Sequence, residues 1–148
     1  MDLRKNFPRS PREKLAGVVM LPRTIDKARA TRDGTPGEYK YGCRLDQDVF
    51  EFLDIDELLF AEKSDELDDA ALERWIQDEH LADKTAAEIE EFNERFLADG
   101  PEPGSDSEKR FLEQRNRLDP SRTEVTSWAA LLDLEEGRLP AGRGAQSR

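Results

Sequence analysis

Residues 7–46, FPRSPREKLAGVVMLPRTIDKARATRDGTPGEYKYGCRLD, decide how the rest of the chain is read. They contain Pro8, Pro11 and Pro36 in X-Pro turns, Pro22 at a helix start, both tyrosines and the only cysteine. Ser10-Pro11-Arg12-Glu13 has the form of a capping box, with Ser10 as N-cap, Pro11 at the first helical position and Glu13 closing the box. It predicts a short helix that turns Leu15, Val18 and Val19 inward and ends near Met20. Pro22 opens the next helix, in which Leu21, Ile25 and Ala28 share a face and which stops by Asp33-Gly34. Residues 33–44 hold three glycines and a proline. They read as loop, with a brief extended piece at Glu38–Tyr41 that turns Tyr39 and Tyr41 the same way. At most a minimal β-hairpin is expected, near residues 38–44.

Downstream of this stretch the pattern is helical. Val49, Phe50, Phe52 and Leu53 mark a short helix from about Gln47, and Asp56 caps another that carries Leu58, Leu59 and Phe60. Ser64 or Asp68 caps a helix with Leu72, Trp75 and Ile76 facing inward. Thr85-Ala86-Ala87-Glu88 is a full capping box ahead of Ile89, Phe92 and Phe96. A break at residues 100–104 precedes a second box, Ser105-Asp106-Ser107-Glu108, and the helix of Phe111, Leu112 and Leu118. A last helix from about Thr123 carries Val125, Trp128, Leu131 and Leu132 and stops at Gly137. The expected architecture is mainly α: one domain over residues 1–136 built from six or seven short helices. Residues 1–9 are expected as an extended arm and residues 137–148 as a flexible tail.

At 148 residues the chain is long enough to bury one core. The hydrophobic share of 36% is low and the charged share of 39% high, but the helical spacing of the apolar residues argues for a folded chain. No apolar run approaches the ~20 residues of a membrane span, and the first residues lack the apolar segment of a secretory signal. A single cysteine fits a reducing compartment, so a cytoplasmic protein without membrane association is expected. Charge is distributed unevenly. Residues 1–46 carry 11 Lys/Arg against 6 Asp/Glu, residues 47–100 carry 4 against 19, and the whole chain has a net charge of −11. An acidic block of that size repels phosphates, so no nucleic-acid partner is expected.

The words SPREKLAGVVMLPRTIDKARA, GEYKYGCRLD, VFEFLDID and LERWIQ resemble the bacterial family catalogued as domain of unknown function 5069. The resemblance is close over about residues 2–80 and looser to about Glu136. It implies a small, soluble, mainly helical bacterial protein, and it brings no reaction, cofactor or catalytic residue with it.

The residues themselves offer one candidate site. Arg9, Arg12, Arg23, Lys27 and Arg29 gather cations in the first quarter of the chain, with Asp26 among them. Arginine forks hold carboxylates and phosphates bidentately. Arg12 and Arg23 fall in the first turns of predicted helices, where a cation opposes the dipole unless an anion is near. That anion is either a ligand or a carboxylate of the chain, since a basic segment also packs well on an acidic one. Tyr39 and Tyr41 would line such a site. Cys43 lies between Gly42 and Arg44, where a cation favours a reactive thiol, but the only histidine, His80, is remote in sequence. His80 and its neighbours Asp78, Glu79 and Asp83 lack the spacing of a zinc motif, and no metal site or cofactor is expected. The acidic run at residues 62–73 reads as a solvated face. The leading expectation is a binding protein for a small anionic ligand or an acidic partner surface. One alternative is an enzyme of unrecognised type with Asp26 as base and an arginine as clamp. The other is an acidic interaction module.

Overall fold

The computed structural model describes residues 1–139. It is mainly α, with seven helices and one two-stranded hairpin among the described residues. They cluster into two compact units, residues 1–93 and residues from 94 onward. The flexible tail expected beyond Gly137 lies, from residue 140 on, outside the described residues.

In the first unit the predicted helix after Pro11 is replaced by a β-hairpin. Strands β1 (Lys14–Leu15) and β2 (Val18–Val19) pair antiparallel, Lys14 opposite Val19 and Leu15 opposite Val18. The hairpin therefore stands at residues 14–19 and not at 38–44. Half of the capping box is made, Ser10 N–H donating to Glu13 Oε2 at 3.1 Å, while Ser10 Oγ accepts from Arg12 N–H (3.1 Å) and Glu13 N–H donates to the Ser10 carbonyl (3.1 Å). It closes only one turn. Ala16 and Gly17 then both adopt positive φ, 55° and 79°, the signature of a two-residue hairpin turn, and the β-branched valines continue as a strand. Leu15, Val18 and Val19 still face inward, as the pattern required. A two-stranded hairpin leaves backbone groups without partners. Here Asn93 accepts from Val19 N–H (3.0 Å) and donates to the Gly17 carbonyl (2.8 Å), while Glu73 accepts from Ala16 N–H (2.7 Å).

Helix α1 (Leu21–Arg32) follows with Pro22 in its first turn and is the buried centre of the unit, packed on β1 and α3. Nine of its twelve residues are buried, among them the charged Arg23, Asp26 and Lys27. Each fully buried Leu21 or Ile25 side chain stabilises the fold by about 1.5–3 kcal/mol. The loop after α1 contains turns but no strand, so the extended piece expected at Glu38–Tyr41 is not formed. Tyr39 N–H instead closes a turn on the Pro36 carbonyl. Helix α2 (Arg44–Leu53) starts three residues earlier than expected, because Cys43 and Asp46 form a capping box. Asp56 caps α3 (Glu57–Glu66) and Asp68 caps α4 (Asp69–His80); Ser64 is buried inside α3.

Thr85 and Glu88 exchange both bonds of their box and start α5 (Ala86–Ala98), which begins in the first unit and ends in the second. In the second unit Ser105 caps α6 (Asp106–Leu118), and the Glu108 carboxylate reaches back to Gly104 N–H. Helix α7 (Trp128–Glu135) begins at the Ser127 cap, five residues after the expected start, with Gly137 (φ 72°) just beyond its end. Phe111, Val125, Ala130 and Leu131 form the core of this unit, with Trp128 edge-on to Phe111 at 5.2 Å.

Candidate functional site

The N-terminal arm and α1 supply most of the charged groups singled out in the sequence, and the fold divides them among three places. The first is an ion-pair chain. Asp26, 4% exposed, accepts from Arg9 N–H (2.9 Å), Nε (3.1 Å) and Nη2 (3.0 Å). Arg9 Nη1 continues to Asp69 Oδ2 at 2.8 Å, and Asp69 Oδ1 accepts from Arg29 Nη1 at 2.8 Å. Arg29 spends its other donors on the carbonyls of Ser64 (2.8 Å) and Leu67 (3.0 Å). Two cations and two anions thus tie the arm, α1 and the α3–α4 junction together with no net charge. Burial works against the Arg9 charge, but the bonds to Asp26 and Asp69 outweigh it and hold the guanidinium above its ordinary value. Burial likewise pushes Asp69 up, and its bonds to Arg9 and Arg29 reverse this and leave it below the usual carboxylate range. Spacing within α1 makes Asp26 a neighbour of Arg23 and Arg29, yet Arg9 arrives from 17 residues upstream and Arg29 turns to α4.

The second place is the start of α2. Lys27 Nζ lies 2.7 Å from Asp46 Oδ2 and donates to Cys43 Sγ at 3.3 Å. The Asp46 side chain is fully buried; it also accepts from Thr24 Oγ1 (2.7 Å), Gly42 N–H (2.9 Å) and Cys43 N–H (3.3 Å). A buried carboxylate needs such saturation. Tyr41 packs here against Phe50 and Phe60 and donates to the Glu57 carbonyl at 2.5 Å. Burial, and then the charges of Asp46, Glu57 and Asp56, raise its phenol well above the ordinary value, so it stays neutral.

The third place is open. A groove of about 610 Å³ runs beside the arm, lined by Leu3, Arg4, Lys5, Asn6, Phe7, Gly37, Glu38 and Tyr39. That volume lies within the roughly 300–1,000 Å³ of small-molecule sites. The arm is held by its buried Leu3, whose N–H donates to the Thr35 carbonyl at 3.0 Å, and it turns at once rather than running extended. Asp2 accepts from Lys5 and Asn6 N–H through its carbonyl, and its carboxylate grips Arg4 Nε and Nη2, both at 3.0 Å. Gly37 makes this approach possible: with φ 59°, a β-carbon there would sit 2.6 Å from the Leu3 carbonyl oxygen. Behind the groove the buried Arg23 places its guanidinium carbon 5.4 Å from the Tyr39 ring centre and donates to the Arg9 carbonyl at 3.2 Å. Tyr39 and Tyr41, expected to point together, therefore serve different places. Arg12 is exposed on the one-turn segment before the hairpin.

Arg4, Lys5, Asn6 and Phe7 were passed over in the sequence because an arm offers no periodicity. Their signal was a basic run next to an aromatic ring and a proline, following one isolated leucine. Asp26 does not line the groove, and its oxygens are occupied by Arg9. His80 ends α4 with Nδ1 3.0 Å from the Leu53 carbonyl and its ring edge-on to Trp75. Among the described residues no group of three His, Cys, Asp or Glu side chains is placed to hold a metal ion.

A family model described as Domain of unknown function (DUF5069) matches residues 5–138. The chain belongs to this family. No curated protein matches it. The family match takes in the hairpin, all seven helices, the ion-pair chain and the groove from Lys5 onward. No helix among the described residues is long and apolar enough to cross a membrane.

Proposed function

We propose that this protein binds a small organic anion with a flat portion in the groove between the arm and the Gly37–Tyr39 turn. The observation that carries the reading is the composition of that groove: the basic side chain of Lys5 beside the Asp2-paired Arg4, the amide of Asn6 and the rings of Phe7 and Tyr39. Cations and an amide hold a carboxylate or phosphate, and the rings take a planar group. Glu38 adds one carboxylate to the same wall, which selects a ligand that also presents a hydrogen-bond donor. Arg23 supports the site from behind through Tyr39; Arg9 and Arg29 belong to the ion-pair chain, Lys27 holds the α1–α2 junction and Tyr41 packs between α2 and α3. Arg12 is a flanking cation. The role is recognition without catalysis, since the carboxylate best placed in sequence to act as a base, Asp26, is committed to Arg9.

Native mass spectrometry of the freshly purified protein tests this. An anionic adduct is expected, retained by the wild type and lost in both Lys5→Ala and Tyr39→Ala variants. An adduct that survives both substitutions, or none after incubation with a panel of aromatic carboxylates and phosphates, overturns the assignment.

A further inference from the structure

Lys27 and Cys43 form a pair that the groove does not use. Lys27 Nζ and Cys43 Sγ lie 3.3 Å apart, with a side chain from α1 meeting the N-cap of α2. The Lys27 side chain is only 5% exposed, and Asp46 grips its ammonium at 2.7 Å, so the nitrogen is held beside the sulfur. Asp46 in turn is fixed by Thr24 and two backbone N–H groups, which keeps the geometry from relaxing. Cys43 itself is half-buried, within reach of a small oxidant. The chain has no second cysteine, so an oxidised Cys43 cannot resolve as an internal disulfide.

We propose that Lys27 and Cys43 form a reversible sulfur–nitrogen cross-link when the protein meets a peroxide. The peroxide oxidises the Cys43 thiol to a sulfenic acid; its O–O bond breaks and one water leaves. Lys27 gives one ammonium proton to Asp46, and the freed nitrogen lone pair attacks the sulfenic sulfur. The S–N bond forms as the S–O bond breaks, and the hydroxyl departs with a second nitrogen proton as water. Thiol, amine and peroxide thus become a sulfenamide and two waters. Two equivalents of an external thiol reverse it, restoring thiol and amine and leaving as their own disulfide. Asp46 passes the proton it accepted on to solvent, so the cross-link removes the positive charge of Lys27 and leaves the Asp46 carboxylate, buried at the start of α2, without its cation. An uncompensated buried carboxylate is strongly destabilising, so oxidation is read out as loosening of the α1–α2 junction.

The test is peroxide titration of the folded full chain, followed by intact mass and peptide mapping. The expected product is two hydrogen atoms lighter than the reduced protein, joins the Lys27 and Cys43 peptides, and returns to the starting mass with dithiothreitol. Cys43→Ser abolishes the mass change. Lys27→Met carries Cys43 on to the sulfinic and sulfonic acids. Because Lys27→Met also removes the buried partner of Asp46, the wild type in urea supplies a second control, in which the lost geometry leaves the peptides unjoined. A folded wild type that gives only oxygen adducts, an intermolecular disulfide, or a link from Cys43 to a nitrogen other than Lys27 overturns the proposal.

Discussion

Replacing Asp26 by alanine isolates the energy of the ion-pair chain. The carboxylate is 4% exposed and receives three hydrogen bonds from one arginine, one of them from the backbone N–H. Removing one partner of a buried pair costs about 3–5 kcal/mol, because the other is left uncompensated. Arg9 keeps Asp69 and its side chain is 27% exposed, so the lower end, about 3 kcal/mol, is expected. For a chain of this size that is a fall in melting temperature of about 6–12 °C. Asp69→Ala breaks two bonds, to Arg9 and Arg29, but its carboxylate is 41% exposed and screened by solvent. Its cost should stay near 1 kcal/mol and shrink in high salt. Urea unfolding of both variants, at low and at high salt, makes the comparison. If Asp26→Ala costs no more than Asp69→Ala, or if its cost vanishes with salt, the chain is a surface feature and not a buried clasp.

Two further outcomes follow from the same geometry. Gly37→Ala and Gly34→Ala both place a side chain at positive φ, but only at residue 37 does the new carbon meet backbone, the Leu3 carbonyl. Both should lose about 1–2 kcal/mol from left-handed strain, whereas only Gly37→Ala should free the arm, seen as faster hydrogen exchange at Leu3 and Asn6. Asp69 titrates below its ordinary value in the folded state, so its stabilisation is complete above about pH 4 and drains away as the pH falls through the folded-state value. Stability measured from pH 6 down to pH 2 should therefore show wild type and Asp69→Asn converging in acid; a constant gap contradicts the pairing.

Much of the helical frame was legible because its signals are local. Asp56, Asp68 and the Thr85–Glu88 box each cap the helix that follows them. The same local logic misread residues 10–20, since a capping box and a single closed turn share their hydrogen bonds. What separates them is the backbone two residues further on, at Ala16-Gly17. The Cys43–Asp46 box was overlooked because a thiol is an uncommon N-cap. Charges on α1 were legible as residues but not as partners. Arg9 meets Asp69 across 60 positions and Lys27 meets Asp46 across 19, contacts that no helical spacing encodes. The groove escaped for a related reason: its walls are an aperiodic arm and a turn, brought together by Leu3 and Gly37.

The inward turn of Arg23 and Lys27, and the pairing of Arg9 and Arg29, change what an approaching molecule meets. Four of the eleven cations of the first segment are drawn inward in this way and seven stay exposed, so they act at short range, while at long range the −11 of the whole chain governs the approach. An anion bound for the groove climbs a repulsive field before Arg4 and Lys5 can attract it. Dissolved salt flattens that climb more than it weakens the short contacts at the end. Capture should accordingly quicken with ionic strength, the reverse of the behaviour of an anion site on a basic surface.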